Sequence, residues 1–242
     1  MSSRIYFWKN FLKKETMTLT YNDIMKVRLI GYTHPIEGLD EEISDVQELI
    51  AFCAKVSNPQ LQTDFSRSEK LLNYLINHKH WSPFEMASAT MEITTTRDIA
   101  RQLLRHRSFS FQEFSQRYAN PAEMGEMFVL REARLQDLKN RQNSIDTDDA
   151  QLQEQWNAAQ QDVIDLAREA YDWAIANGIA KEQARAVLPE GNTISRVYAQ
   201  GTIRSWIHYI ELRSANGTQR EHMALAVACA EAITKIFPMI RQ

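Results

Sequence analysis

One short stretch of this chain concentrates groups that could do chemistry. Arg101, Arg105, His106, Arg107 and Arg117 lie between Ala100 and Tyr118, interleaved with Gln102, Ser110, Gln112, Glu113 and Ser115 and with Phe109, Phe111 and Phe114. Arginine suits phosphate because its planar fork meets two phosphate oxygens at once. Each charge-assisted hydrogen bond contributes about 1.5–3 kcal/mol, so two or three convergent arginines hold a monophosphate. The plain alternative is a solvated helix face, since Arg97, Arg101 and Arg105 recur at i, i+4 and i+8. That alternative does not cover Arg105-His106-Arg107, which would point about 100° apart on a helix. The phenylalanine spacing predicts an extended, buried segment anchored by its aromatics, with Ser110, Gln112, Ser115 and Arg117 facing a site. Glu113 is out of step with that parity and is expected to face a neighbouring arginine. Flanked by two arginines, His106 resists a second positive charge and reads as a neutral donor or stacking ring.

Other chemistries are less well served. The chain has seven glycines, and none forms a GxGxxG or GxxxxGK[ST] loop, so side chains must hold any phosphate. No GxSxG elbow surrounds Ser115, which favours a hydrogen-bonding role over a nucleophilic one. His78 and His80 stand at i, i+2 with no carboxylate at ligand spacing, which makes a metal site the weaker reading. Cys53 and Cys229 match no CxxC pattern and read as reduced thiols of a cytoplasmic protein. A net charge of −3 over 242 residues favours neither nucleic acid nor membrane as a bulk partner.

The elements that must position these residues read as one α+β domain. The composition, 44% hydrophobic and 24% charged, suits a single core. Strands are expected at Val27–Tyr32, through the alternating Ala87–Thr94, near 127–131 and near 193–202. Helices are expected over 43–55, 67–78, 97–106 and 181–187. The clearest helical period is Leu152, Trp156, Ala159, Val163, Leu166, Ala170 and Trp173, stopped by Asn177-Gly178. From Thr202, Ile203, Trp206, Ile207 and Ile210 mark an apolar face with Arg204, His208 and Glu211 opposite. Thr218–Glu221 has the form of a capping box, opening a last helix with Met223, Val227, Ala230, Ile233 and Ile236 inward. Residues 132–150 read as a polar connection, and residues 1–24 as an N-terminal extension before a domain spanning 25–242.

Arg105-His106-Arg107, seven residues, then Ser115 resembles the signature of the flavin-dependent thymidylate synthases. "HWSPFE" (80–85), "ARAVLP" (184–189) and "TIRSWIHYIELR" (202–213) resemble further family segments in the family's order. The resemblance implies an antiparallel sheet flanked by helices, assembled as a homotetramer with active sites shared between subunits. It implies a methyltransferase that makes dTMP from dUMP, with methylenetetrahydrofolate and NADPH as co-substrates and FAD as cofactor. Carried over by motif, Gln102, Arg105, Glu113, Ser115, Arg117, Arg185 and Arg213 would contact dUMP. Ser57, His80, Ser82, Glu85, His106, Arg107, Ser108, Arg204 and His208 would line the flavin. Arg213, Ser115 and His80 are the expected catalytic residues, with Ser115 as a ligand rather than a covalent catalyst. The competing reading is a non-catalytic nucleotide- or RNA-binding protein using the same arginines.

Overall fold

The computed structural model describes residues 19–37 and 42–241. In chain order the elements are α1 (Tyr21–Ile24), β1 (Lys26–Tyr32), α2 (Val46–Ala54), α3 (Ser68–Asn77), β2 (Ser88–Thr96), α4 (Arg97–Leu103) and β3 (Phe109–Glu113). There follow β4 (Arg134–Gln136), β5 (Ser144–Asp146), α5 (Ala150–Ala176), α6 (Lys181–Ala184), β6 (Ile194–Thr202), α7 (Ile203–Ser214) and α8 (Arg220–Thr234). Four strands make one antiparallel sheet in the order β1-β2-β6-β3, so β1 and β3 are its edges.

Alternation builds this sheet. Ala89, Met91 and Ile93 of β2 and Val197 and Ala199 of β6 are buried, while Glu92 and Tyr198 between them turn the other way. The inner face carries helices α7 and α8 and the main core. The expected α+β architecture is present, with this difference: the opposite face, bearing Tyr32 and Tyr198, is left exposed. Gly201 stands opposite Phe109 across the β6–β3 pair. A Cβ there would lie 2.6 Å from the Phe109 ring, so only glycine lets that ring cross β6. Phe109 then packs edge-on against Trp206, 4.6 Å between centroids, and anchors the turn that precedes β3.

Several expectations are corrected. Residues 19–24, assigned to the extension, belong to the fold: Tyr21 and Ile24 are buried, and Leu130 N donates to Leu19 O at 3.0 Å. Residues 1–18 of that extension lie outside the described residues. Helix α4 stops at Leu103, so Arg105 does not share its face. Residues 127–131 form isolated bridges rather than a strand, because they pack Met127, Phe128 and Leu130 against α5 and α6 as a second, smaller core. Within 132–150 a short β4–β5 hairpin forms.

Helix α5 presents a different face from the one expected, and α8 does so only in part. In α5 the buried residues are Gln160, Ile164, Ala167, Tyr171 and Ala174, and Val163 and Trp173 are 54% and 63% exposed. In α8, Ile233 is buried and Ala230 and Ile236 pack on the core as expected, but Leu225, Ala226 and Cys229 join them inward and Val227 is exposed. The Thr218 capping box does not form. Gln219 occupies the cap position, and Glu221 is drawn into the protein by Arg134 at 2.6 Å and Arg131 at 3.5 Å.

Candidate functional site

Helix α7 is the spine of the site. Its positions 205, 209 and 213 recur at i, i+4 and i+8 and face the turn that carries Arg105-His106-Arg107. Ser205 Oγ donates to Ser108 O at 3.2 Å, Tyr209 packs edge-on against His106 at 5.0 Å, and Arg213 Nε donates to His106 Nε2 at 2.9 Å. That last bond identifies the histidine. Nε2 accepts, so the neutral ring carries its proton on Nδ1. Burial, then the charges of Arg213 and Arg105, lower its pKa to about 4. The expectation of a neutral ring agrees with this geometry, and Arg213 rather than Arg107 is the principal cationic neighbour.

The remaining nucleotide-side candidates fall into three groups. Glu113 faces neighbouring arginines, as its parity required: Arg97 at 3.3 Å and Arg101 at 3.7 Å, with Ser195 Oγ donating at 3.1 Å. Gln102 is held by Gln219 and by His222, a histidine with no solvent exposure. Past β3, Ser115 O accepts from Tyr118 N and Ala119 N in a turn, and Arg117 reaches Glu182 of α6 at 3.5 Å. Arg185 follows on the next turn of the same segment. Arg105 and Arg213 thus cluster at one end of the edge strand β3, and Arg117 and Arg185 near the other, about 17 Å along.

Most arginines here are already neutralised within the chain. Arg97, Arg101, Arg117, Arg131, Arg134, Arg204 and Arg220 all have acidic partners. Among the described residues Arg67, Arg105, Arg107, Arg141, Arg185 and Arg196 have none within salt-bridge distance, and Arg213 bonds a neutral imidazole. An anion is the partner these cations lack. They are too few and too separated to make an extended basic surface.

The flavin-side candidates line the adjoining face of α7. Arg204 Nη1 meets Glu85 Oε1 at 2.6 Å, and His208 packs edge-on against Trp81 at 4.5 Å. Ser82 and Glu85 belong to the 3₁₀ turn Ser82–Glu85 and are exposed, as is His80 just before it. Ser57 is exposed in the turn after α2. One guanidinium, one carboxylate and several neutral donors beside an aromatic ring form a donor set that fits a dinucleotide cofactor such as FAD. His106 and Ser108 extend the same wall through their ties to α7, and Arg107 stands between them in the chain.

Neither thiol has a setting for attack on a substrate. Burial pushes Cys53 upward, and complete burial pushes Cys229 far above the ordinary thiol range. Sequence reasoning missed Tyr209, Gln219, Glu221 and His222. The signal for His222 was present: a polar ring one turn before Leu225 and Ala226 on an otherwise apolar stripe.

Fold and site together define an α+β protein with arginines free of acidic partners gathered near the ends of a sheet-edge strand. The UMP/dUMP methylase PolB from Streptomyces cacaoi, solved with 5-Br dUMP, superposes with a TM-score of 0.73 at 26% identity, covering 89% of this chain and 92% of that one. The family model described as thymidylate synthase complementing protein matches residues 39–239. The flavin-dependent thymidylate synthase of Synechocystis sp. is 47% identical over 89% of this chain and 97% of its own length. A protein of Paramecium bursaria Chlorella virus 1 named for the same activity is 50% identical over the same shares. The chain belongs to the flavin-dependent thymidylate synthase family.

Proposed function

We propose that this protein methylates dUMP to dTMP, with FAD bound, methylenetetrahydrofolate as carbon donor and NADPH as reductant. The observation that carries the reading is that Arg105, Arg185 and Arg213, three of the arginines without acidic partners among the described residues, lie on the elements that also present Ser115, Arg117 and the flavin-side wall. Arg105, Arg117, Arg185 and Arg213 hold the phosphate and polarise the uracil carbonyls, so that negative charge developing on the ring is met by guanidinium groups already in place. Ser115 is a hydrogen-bonding ligand: no base contacts its hydroxyl among the described residues. His106 contributes a neutral Nδ1–H donor and does not abstract protons at neutral pH, because Arg213 occupies its other nitrogen. The flavin, when bound, supplies the transfer of the one-carbon unit and the hydride, the usual division of labour between cofactor and protein.

The assembly is a homotetramer in this reading. Three unsatisfied surfaces support it: the edge strand β3, the exposed sheet face and the apolar stripe of α5. A second copy along β3 brings its own arginine pair to the other end of the nucleotide. No helix among the described residues is long and apolar enough to cross a membrane.

The test is the purified protein with FAD, NADPH and methylenetetrahydrofolate. Conversion of radiolabelled dUMP to dTMP, with NADPH oxidation stimulated by dUMP, is expected. Flavin-free protein after FAD addition, or RNA bound with salt sensitivity and dUMP ignored, would refute the reading in favour of a binding module.

A further inference from the structure

A chain of hydrogen bonds runs from a buried ion cluster to the site, and its polarity is determined from one end. Glu221 is the fixed end. Burial pushes its carboxyl up, but Arg131, its own backbone amide and Arg134 outweigh this and hold it below the ordinary carboxylate range. A carboxylate only accepts. Gln219 must therefore turn its NH2 to Glu221 Oε2, at 3.0 Å, which leaves Gln219 Oε1 facing Gln102. Gln102 must then present Nε2 to that oxygen, at 2.7 Å, and its own Oε1 to His222 Nδ1, at 3.2 Å. His222 must carry its proton on Nδ1, and its Nε2 accepts from the Tyr209 hydroxyl at 3.2 Å. Burial keeps that phenol protonated, as the arrangement requires. Reversing any amide would set two acceptors face to face beside the buried Glu221 or His222, at the cost of an unmet polar group.

The lock has a direction. On the oxygen side of the Gln102 amide stands the fully buried His222. On the nitrogen side stands the half-buried Gln219, whose Oε1 takes one of the two amide N–H groups and leaves the other free. We propose that His222 is a positioning residue: Gln219 sets the polarity of the Gln102 amide, and the His222 Nδ1–H holds its Oε1 from the opposite side, so that the amide is fixed in place with its second N–H offered to the ligand. The ligand group it selects is an acceptor oxygen, carbonyl or phosphate. This rests on the reading of Gln102 as a dUMP contact.

Two variants of the holoprotein and one spectrum test it. Leucine at 222 removes the donor, whereas the Nδ2 of asparagine lies close to where imidazole Nδ1 was and restores it. By calorimetry, His222→Leu should weaken dUMP binding about five- to tenfold, the scale of one neutral hydrogen bond. His222→Asn should bind within about twofold of wild type, with thermal melting confirming that each variant folds. In 15N-histidine NMR, His222, identified by its loss in His222→Asn, should show the Nδ1–H tautomer, the minor form of free histidine. An Nε2–H tautomer, wild-type affinity in His222→Leu, or a folded His222→Asn as weak as leucine would each overturn the proposal. Should wild type fail to bind dUMP, the functional reading fails, and the tautomer still decides whether the amide is locked.

Discussion

Acidification from pH 7 to pH 5 is expected to destabilise this protein through two histidines. His222 has no solvent exposure, and burial first, then Arg213 and His106, lower its pKa from 6.5 to about 3. Its folded-state pKa is depressed, so the unfolded chain binds more protons at any pH between these values. The stabilisation is fully present above pH 6.5 and is lost as pH falls toward 3. At pH 5, about 1.5 units below the unfolded value, the loss for His222 is about 2 kcal/mol. His106 is also lowered, to about 4, but it is only half-buried and solvent screens part of the effect. About 1 kcal/mol is a fair share for it. The sum is a large fraction of the ~5–15 kcal/mol that holds an ordinary domain together. Carboxylates such as Glu221, held below their ordinary range, add their own losses only at lower pH. The assay is urea unfolding followed by tryptophan fluorescence at pH 5, 6 and 7, at one fixed protein concentration because assembly contributes to stability. His222→Asn should remove about two thirds of the change between pH 7 and 5. Wild-type stability that is flat across this range, or a His222→Asn slope equal to wild type, would refute the reasoning.

Two further substitutions probe the supports of the site. Gly201→Ala drives a methyl into the Phe109 ring and should cost about 1–3 kcal/mol in urea unfolding; because Phe109 anchors the turn bearing His106, dUMP affinity should fall in the same protein, and unchanged values of both would contradict that role. Trp173→Glu places a charge in the exposed stripe of α5, where the single chain loses no core contact; gel filtration should show a smaller assembly with the fold intact by circular dichroism, and an unchanged elution volume would mean the stripe is not an interface.

Much of the architecture follows from short-range pattern. The period of two in Ala89, Met91 and Ile93 specifies which side of β2 is buried, and the run Ile203, Trp206, Ile207 and Ile210 specifies the inner face of α7. Each of these has one apolar side and one polar side, so a single rotation satisfies burial. The parity of 109–113 likewise sent Phe109 inward and Glu113 toward arginines. The crowding of cations around His106 was enough to expect a neutral ring, although the arginine bonded to it comes from residue 213.

Other features were open in the sequence because more than one arrangement satisfied the local rules. Helices α5 and α8 each carry two apolar stripes, and only packing against the second core and the sheet selects between them. The stripe of α5 with the better period, Val163 to Trp173, is the one left outside, where a neighbouring copy can cover it. Thr218 and Glu221 had the spacing of a cap, but Arg131 and Arg134 from a distant segment offered the carboxylate stronger partners. The amino-acid sequence by itself thus determined the composition of the site, the strand periodicity and the family to which they belong. Tertiary structure alone decided which groups meet: that Arg213 reaches His106, that Glu221 orients Gln102 through Gln219, and which cations remain without an acid. The physical reason is that periodic burial is a local property of the chain, whereas ion pairing and hydrogen-bond polarity depend on approach between residues far apart in sequence.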